Sequence, residues 1–142
     1  MTIQRFDRRI TYTVLQTVSR ARLDDAWVLL RNAEETRKPQ RRVGAIYLAG
    51  YAVECALKAR ICREKQVDIL DPQYFTHDLT LLVRHTTRFD SLKRNKSIEE
   101  AFKFVESERN VAIRYRMPSI KAEVARKLFR KAKEVCQWLS AN

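Results

Sequence analysis

A chain of 142 residues, with 29 Lys and Arg against 17 Asp and Glu and a formal net charge of +12, is sized for one domain with one ordinary core. Two glycines and three prolines are too few turn formers for a sandwich or barrel, and the absence of any long apolar run, with a polar, charged stretch from Met1 to Ile10, leaves neither a membrane span nor a secretory signal readable. A cytoplasmic, all-helical protein is expected, whose positive excess attracts phosphate backbones or an acidic protein partner; the alternative is a solvated basic surface with no specific partner.

The first clear helix carries Leu23, Ala26, Trp27, Leu30 and Ala33 at three- and four-residue steps, with Asp24 and Asp25 early and an end near Lys38 and Pro39. Periodicity leaves open whether Ile10 to Val18 extend it or form an arm. From Val43 to Cys62 the sequence VGAIYLAGYAVECALKARIC is apolar on nearly every side, as expected of a central helix packed on several neighbours. Thr76 is expected to cap a short third helix reaching His85, with Leu79, Leu82 and Val83 for burial. Ser97 followed by Glu100 reads as a capping-box start for the fourth, whose inward stripe is Ile98, Ala101, Phe102 and Val105. Pro118 and Ser119 divide it from a last amphipathic helix with Ile120, Val124, Leu128, Val135 and Leu139. The connections Val67 to Gln73 and Arg88 to Lys96 read as loops, so the expectation is an up-and-down bundle of about five helices spanning residues 1–142 as a single domain.

Cys55, Cys62 and Cys136 form no CxxC pair, and two of them lie seven apart in the apolar helix, which suits buried reduced thiols. With only His77 and His85 to add, no zinc site of sensible spacing can be written. Neither a metal nor a cofactor is expected.

The helix AIYLAGYAVECALKARI, residues 45 to 61, resembles the second helix of the HEPN family. His77-Asp78-Leu79 and Arg114-Tyr115 resemble the HDL and RY signatures of one HEPN subgroup, and with the helix order the likeness spans roughly residues 20 to 140. The resemblance implies an up-and-down helical bundle, usually a homodimer, of the kind found in toxin–antitoxin pairs, phage defence and RNA processing. Many members are metal-independent ribonucleases that use an Arg followed, four to six residues later, by a His at the dimer interface. Others are inactive or nucleotide-associated partners of minimal nucleotidyltransferases. The partners implied are therefore RNA or a nucleotide and a nucleotidyltransferase-type antitoxin, with no membrane.

The nearest match to that motif is Arg109-Asn110-Val111-Ala112-Ile113-Arg114-Tyr115-Arg116. Asn110 supplies the polar residue that often follows the Arg, but Arg114, Tyr115 and Arg116 stand where the His would be. Metal-free cleavage beside a ribose needs a base for the 2′ hydroxyl and an acid for the leaving oxygen, and an arginine stays protonated. Arg109, Arg114 and Arg116 remain able to bind or polarise a phosphate, and Tyr115 to donate a proton. His77 is the titratable candidate left, on a different helix; its other reading is a capping or hydrogen-bonded residue beside Asp78.

Arg109 stands four residues after Val105 on the inward stripe, and Arg116 returns to nearly the same azimuth seven residues later. A cation there needs a partner. Glu54, the only acid between Val43 and Ala59, is the obvious one, with Lys58 its competitor four residues on. The pair reads either as a buried tie between the second and fourth helices or as the floor of a phosphate cleft, and the two can coexist. Lys121, Arg126, Lys127, Arg130, Lys131 and Lys133 on the last helix form a charged solvent face or, with Arg37, Lys38, Arg41 and Arg42, a basic track for the RNA backbone. The functional expectation is an RNA-associated protein, ribonuclease or not, with Arg109, Arg114, Tyr115 and His77 as catalytic candidates and Glu54, Asn110 and Arg116 as binding candidates; the alternative is a non-catalytic subunit that binds a nucleotidyltransferase partner or a nucleotide.

Overall fold

The computed structural model describes residues 9–115 and 120–141, with side chains throughout those ranges except at 113–115. They form an all-α bundle of six helices: α1 Tyr12–Glu35, α2 Arg41–Lys65, α3 Leu79–Arg84, α4 Arg88–Arg94, α5 Lys96–Tyr115 and α6 Ala122–Ser140, with a short 3-10 turn at Pro72–Tyr74. One apolar cluster draws residues from all six.

The sixth helix is α4, in a stretch the sequence reads as a loop. Seven residues are too few to show a period, yet Leu92 is buried and Phe89 packs against the core, so one apolar step is enough to hold it. The stretch from Tyr12 to Val18 is helical in spite of its β-branched residues because Leu15 and Ser19 are buried in the bundle, and packing outweighs a propensity deficit of tenths of a kcal/mol per residue. Thr11 caps this helix, its hydroxyl accepting from the Val14 amide at 3.2 Å. Just before it, Ile10 and Tyr12 exchange backbone bonds of 2.8 Å with Leu70 and Asp68, which ties the start of α1 to the connection leaving α2.

The end of α1 falls earlier than Lys38. Arg37 takes φ 53°, and the Lys38 amide bonds back to Ala33 O at 3.0 Å, a Schellman closure made without glycine. Gln66 ends α2 in the same way at φ 54°, with the Val67 amide on Cys62 O at 3.0 Å. Two expected caps also move. Asp78, not Thr76, caps α3 by accepting from the Leu81 amide at 3.1 Å, while the Thr76 hydroxyl accepts from the Asp78 amide at 3.2 Å. Asn95, not Ser97, caps α5 by accepting from the Ile98 amide at 3.2 Å. In both cases a short carboxylate or amide side chain reaches the orphan amides first.

Helix α2 is the centre of the bundle, packed against α1, α3, α5 and α6. Its faces are covered by Ala45, Ile46, Ala49, Ala52, Val53, Leu57 and Ile61, all under 3% exposed. Among the described residues no helix is long and apolar enough to cross a membrane.

Candidate active site around Glu54 and His77

The buried charged residues of α2 are Glu54, 1% exposed, and Lys58, 7% exposed. A carboxylate taken that far from water is tolerable only with cations and donors on both oxygens. Lys58, one turn on, gives Nζ to Oε2 at 2.9 Å, and Arg109 on α5 gives Nη2 to Oε1 at 2.6 Å. His77, in the irregular segment before α3, brings Nδ1 to Oε1 at 2.8 Å. Burial by itself would raise the Glu54 pKa; the hydrogen bonds from Lys58, His77 and Arg109 outweigh it and hold the carboxyl below its ordinary range.

Three features of the sequence make this geometry. Glu54 and Lys58 are an i,i+4 pair, on one face of α2 by helical period. Arg109 continues the buried stripe of Ala101, Phe102 and Val105, so α5 delivers its guanidinium inward. Gly50 makes room for it: a Cβ there would stand 2.7 Å from Arg109 Cδ and 3.0 Å from Cγ. Arg109 then donates Nη1 to the His77 carbonyl at 3.2 Å, so one guanidinium fixes both the carboxylate and the backbone of the segment that carries the imidazole.

An ionised carboxylate only accepts, so the proton between the two groups sits on His77 Nδ1, and in the neutral ring the lone pair sits on Nε2. The His77 side chain is 80% exposed. The arrangement is a solvent-facing imidazole oriented through its inner nitrogen by a buried carboxylate, the relation of base to orienting acid found in nucleophilic triads. Around it the buried charges do not cancel. Lys58 and Arg109 carry two positive charges against one on Glu54, while the carboxylates of Asp78 and Glu106 line the neighbouring groove.

Of the sequence candidates, the structure brings Glu54, His77 and Arg109 together. Glu54 and Arg109 do so as buried groups: at 1% and 5% exposure, bonded to each other, to Lys58 and to His77, they lie beneath the site and position His77 rather than contact a substrate. His77 lies outside α3, and the cap at that helix start is Asp78. Asn110 is exposed and lines a small groove with Asp78, Leu79, Thr80 and Glu106, where the Thr80 hydroxyl bonds the Glu106 carboxylate. The side chains of Arg114 and Tyr115, and Arg116 altogether, lie outside the described residues. What the sequence reading missed is that His77 bonds Glu54 and that Gly50 admits Arg109; a glycine interrupting an Ala-rich central helix was the available signal.

The thiols take no part. Cys55, Cys62 and Cys136 are free and buried, and burial pushes Cys55 up to about 11 and Cys136 up to about 12. Among the described residues no group of His, Cys, Asp and Glu is placed to hold a metal ion.

Basic residues meet at both ends of α6: Arg60, Arg63 and Arg88 reach the carbonyls at its C-terminal end, and others lie near its start. Arg42 donates to Ile120 O at 3.2 Å and Arg126 pairs with Glu34, so the turn bearing Arg37 and Lys38 lies beside the start of α6. No family model matches the chain, and neither does a curated protein or a solved structure; the site is read from this chain's own residues.

Proposed function

We propose that this chain is a cytoplasmic, RNA-associated HEPN-like protein that cleaves RNA without a metal, in the manner of the toxin component of a toxin–antitoxin or phage-defence module. The observation that carries the reading is the exposed His77 ring fixed by buried Glu54 in a protein of net charge +12. His77 Nε2 takes the proton of a ribose 2′ hydroxyl; the freed oxygen attacks the adjacent phosphorus, and the bond to the 5′ oxygen breaks as that oxygen takes up a proton. Glu54 stabilises the imidazolium so formed, and Arg109 keeps both groups in place. Arg114 and Tyr115, on the last turn of α5, are the sequence's candidates for the phosphate and the leaving oxygen. The cations of α6 and of the α1–α2 turn supply backbone attraction.

A second reading has one observation in its favour. Arg109, the residue that aligns with the family's catalytic arginine, is spent on Glu54 and the His77 carbonyl. That suits a non-catalytic subunit whose charge engages a nucleotidyltransferase-type antitoxin or a nucleotide.

Cleavage of a mixed RNA pool in chelator separates the two, with RNA binding followed at two salt concentrations. The expected result is cleavage that falls at least about 100-fold in His77→Ala, the usual size of a lost general base, while salt-sensitive binding persists. Because His77 is exposed, the variant folds. Unchanged cleavage in His77→Ala removes the histidine from the chemistry, and binding without cleavage by the parent protein moves the assignment to the partner subunit.

A further inference from the structure

Away from Glu54 and His77, the angle between α1, α2 and α6 forms a half-open cavity of about 270 Å³. Leu23, Ala56, Ala59 and Leu139 give it apolar walls, and the charged side chains that line it are all cationic. Two of those cations are occupied. Arg60 holds Glu64 at 2.7 Å and the carbonyls of Leu139 and Ala141 at 3.2 and 2.7 Å, and Arg63 reaches the Ser140 carbonyl at 3.3 Å; between them they close the C-terminal end of α6, where cations are favoured.

Arg20 and Lys133 are different. They stand on the rim of the cavity from α1 and α6, shared with a neighbouring groove that carries Asp24 and Glu123; both are exposed, and neither has a hydrogen bond or ion pair among the described residues. Elsewhere on the cavity wall the Tyr12 hydroxyl accepts from the Gln16 amide at 2.8 Å, which leaves its own proton to donate. Apolar walls with a few convergent polar groups of one sign are the usual composition of a small-molecule site.

We infer that this cavity binds one small amphipathic anion: a carboxylate or phosphate monoester head at Arg20, Lys133 and the Tyr12 hydroxyl, carried on a short apolar body against Leu23, Ala56, Ala59 and Leu139. A bare inorganic anion leaves the apolar walls without a role, and a nucleic-acid strand exceeds the volume, which corresponds to about 9 waters at ~30 Å³ each. An eight-carbon chain fits that space. The site shares Lys133 with the α6 cations of the RNA reading, but its apolar walls and its response to a short apolar anion do not depend on that reading.

The test is calorimetric titration of the full chain with octanoate, octyl phosphate, inorganic phosphate and 1-octanol. The expected result is saturable one-to-one binding of octanoate or octyl phosphate at least about tenfold tighter than of phosphate or octanol, the preferred head group identifying the source of the anion. Arg20→Ala with Lys133→Ala, both surface changes, weakens it at least about tenfold, and Ala56→Phe abolishes it by filling the cavity, with melting curves verifying that each variant is folded. Octanol binding as tightly as octanoate, phosphate binding as tightly as octyl phosphate, no saturable binding, or parental affinity in a folded variant of either kind each overturns the inference.

Discussion

Helix α2 carries two carboxylates ten residues apart, Glu54 and Glu64, and each bonds a cation one turn away on the same helix: Lys58 at 2.9 Å and Arg60 at 2.7 Å. Each also reaches a segment that follows α2. Glu64 takes the backbone amide and hydroxyl of Thr87 at 2.7 and 2.8 Å, neutral donors at the start of α4, and bonds a single cation directly, while Arg88 lies close enough to feel the charges of Glu64, Arg60 and Arg63. Glu54 takes a second full cation, Arg109, and an imidazole whose outer nitrogen is open to solvent. The same i,i+4 signal thus builds a clamp onto neutral backbone and hydroxyl donors at one position and, at the other, a doubly ion-paired support beneath an exposed imidazole. What separates them is the third partner and the depth of burial, 1% against 17% side-chain exposure.

The largest break in that comparison is removal of the deeper carboxylate. Glu54→Gln leaves Lys58 and Arg109 buried without a counter-charge, and stranding a buried charge costs about 3 kcal/mol or more. Denaturant unfolding is expected to register that loss, and a variant within about 1 kcal/mol of the parent would mean that water reaches the cluster. Glu64→Gln retains a carbonyl for Thr87 and leaves Arg60 its bonds to Leu139 and Ala141, so its expected cost is about 1 kcal/mol.

Gly50→Ala sharpens the comparison from the side of packing. In an ordinary helix interior the change stabilises by about 1 kcal/mol. Here the new methyl falls 2.7 Å from Arg109 Cδ, in the middle of a stem pinned at its far end by Glu54 and the His77 carbonyl, and the stem cannot swing aside without releasing them. Net destabilisation of about 1–2 kcal/mol is expected, read in the same unfolding experiment; a stabilised variant would show that Arg109 has a second resting place.

Much of this was legible before any coordinates. A lone acid in an apolar helix and an arginine on the buried stripe of another had few partners but each other, and the bundle follows from periods of three and four. His77 was not legible as the third member because it lies in an irregular segment, where no period relates it to α2, and its contact depends on the chain path through Pro72–Tyr74. Helix α4 was hidden by its length. The caps at Asp78 and Asn95 were misassigned because Thr76 and Ser97 offer the same oxygen chemistry two residues away, and only the backbone path decides which oxygen faces the free amides.

Acid unfolding gives the smallest and most discriminating contrast. Glu54 and Glu64 both ionise more readily in the folded protein, against a burial cost that pushes the other way, because of their hydrogen bonds to Lys58, His77 and Arg109 and to Arg60 and Thr87 respectively. A carboxyl depressed on folding contributes stability that is fully present above its unfolded pKa and is lost as pH falls through the folded value. The loss is therefore expected to begin below about pH 5 and to steepen toward pH 3. Glu64→Gln removes one share of that slope and leaves RNA cleavage at the parental rate, since the clamp touches neither His77 nor its support. Glu54→Gln removes the other share of the slope and, on the proposed reading, cleavage with it. A Glu64 variant that lost cleavage while still folded would erase the distinction between clamp and site on which the assignment of His77 rests.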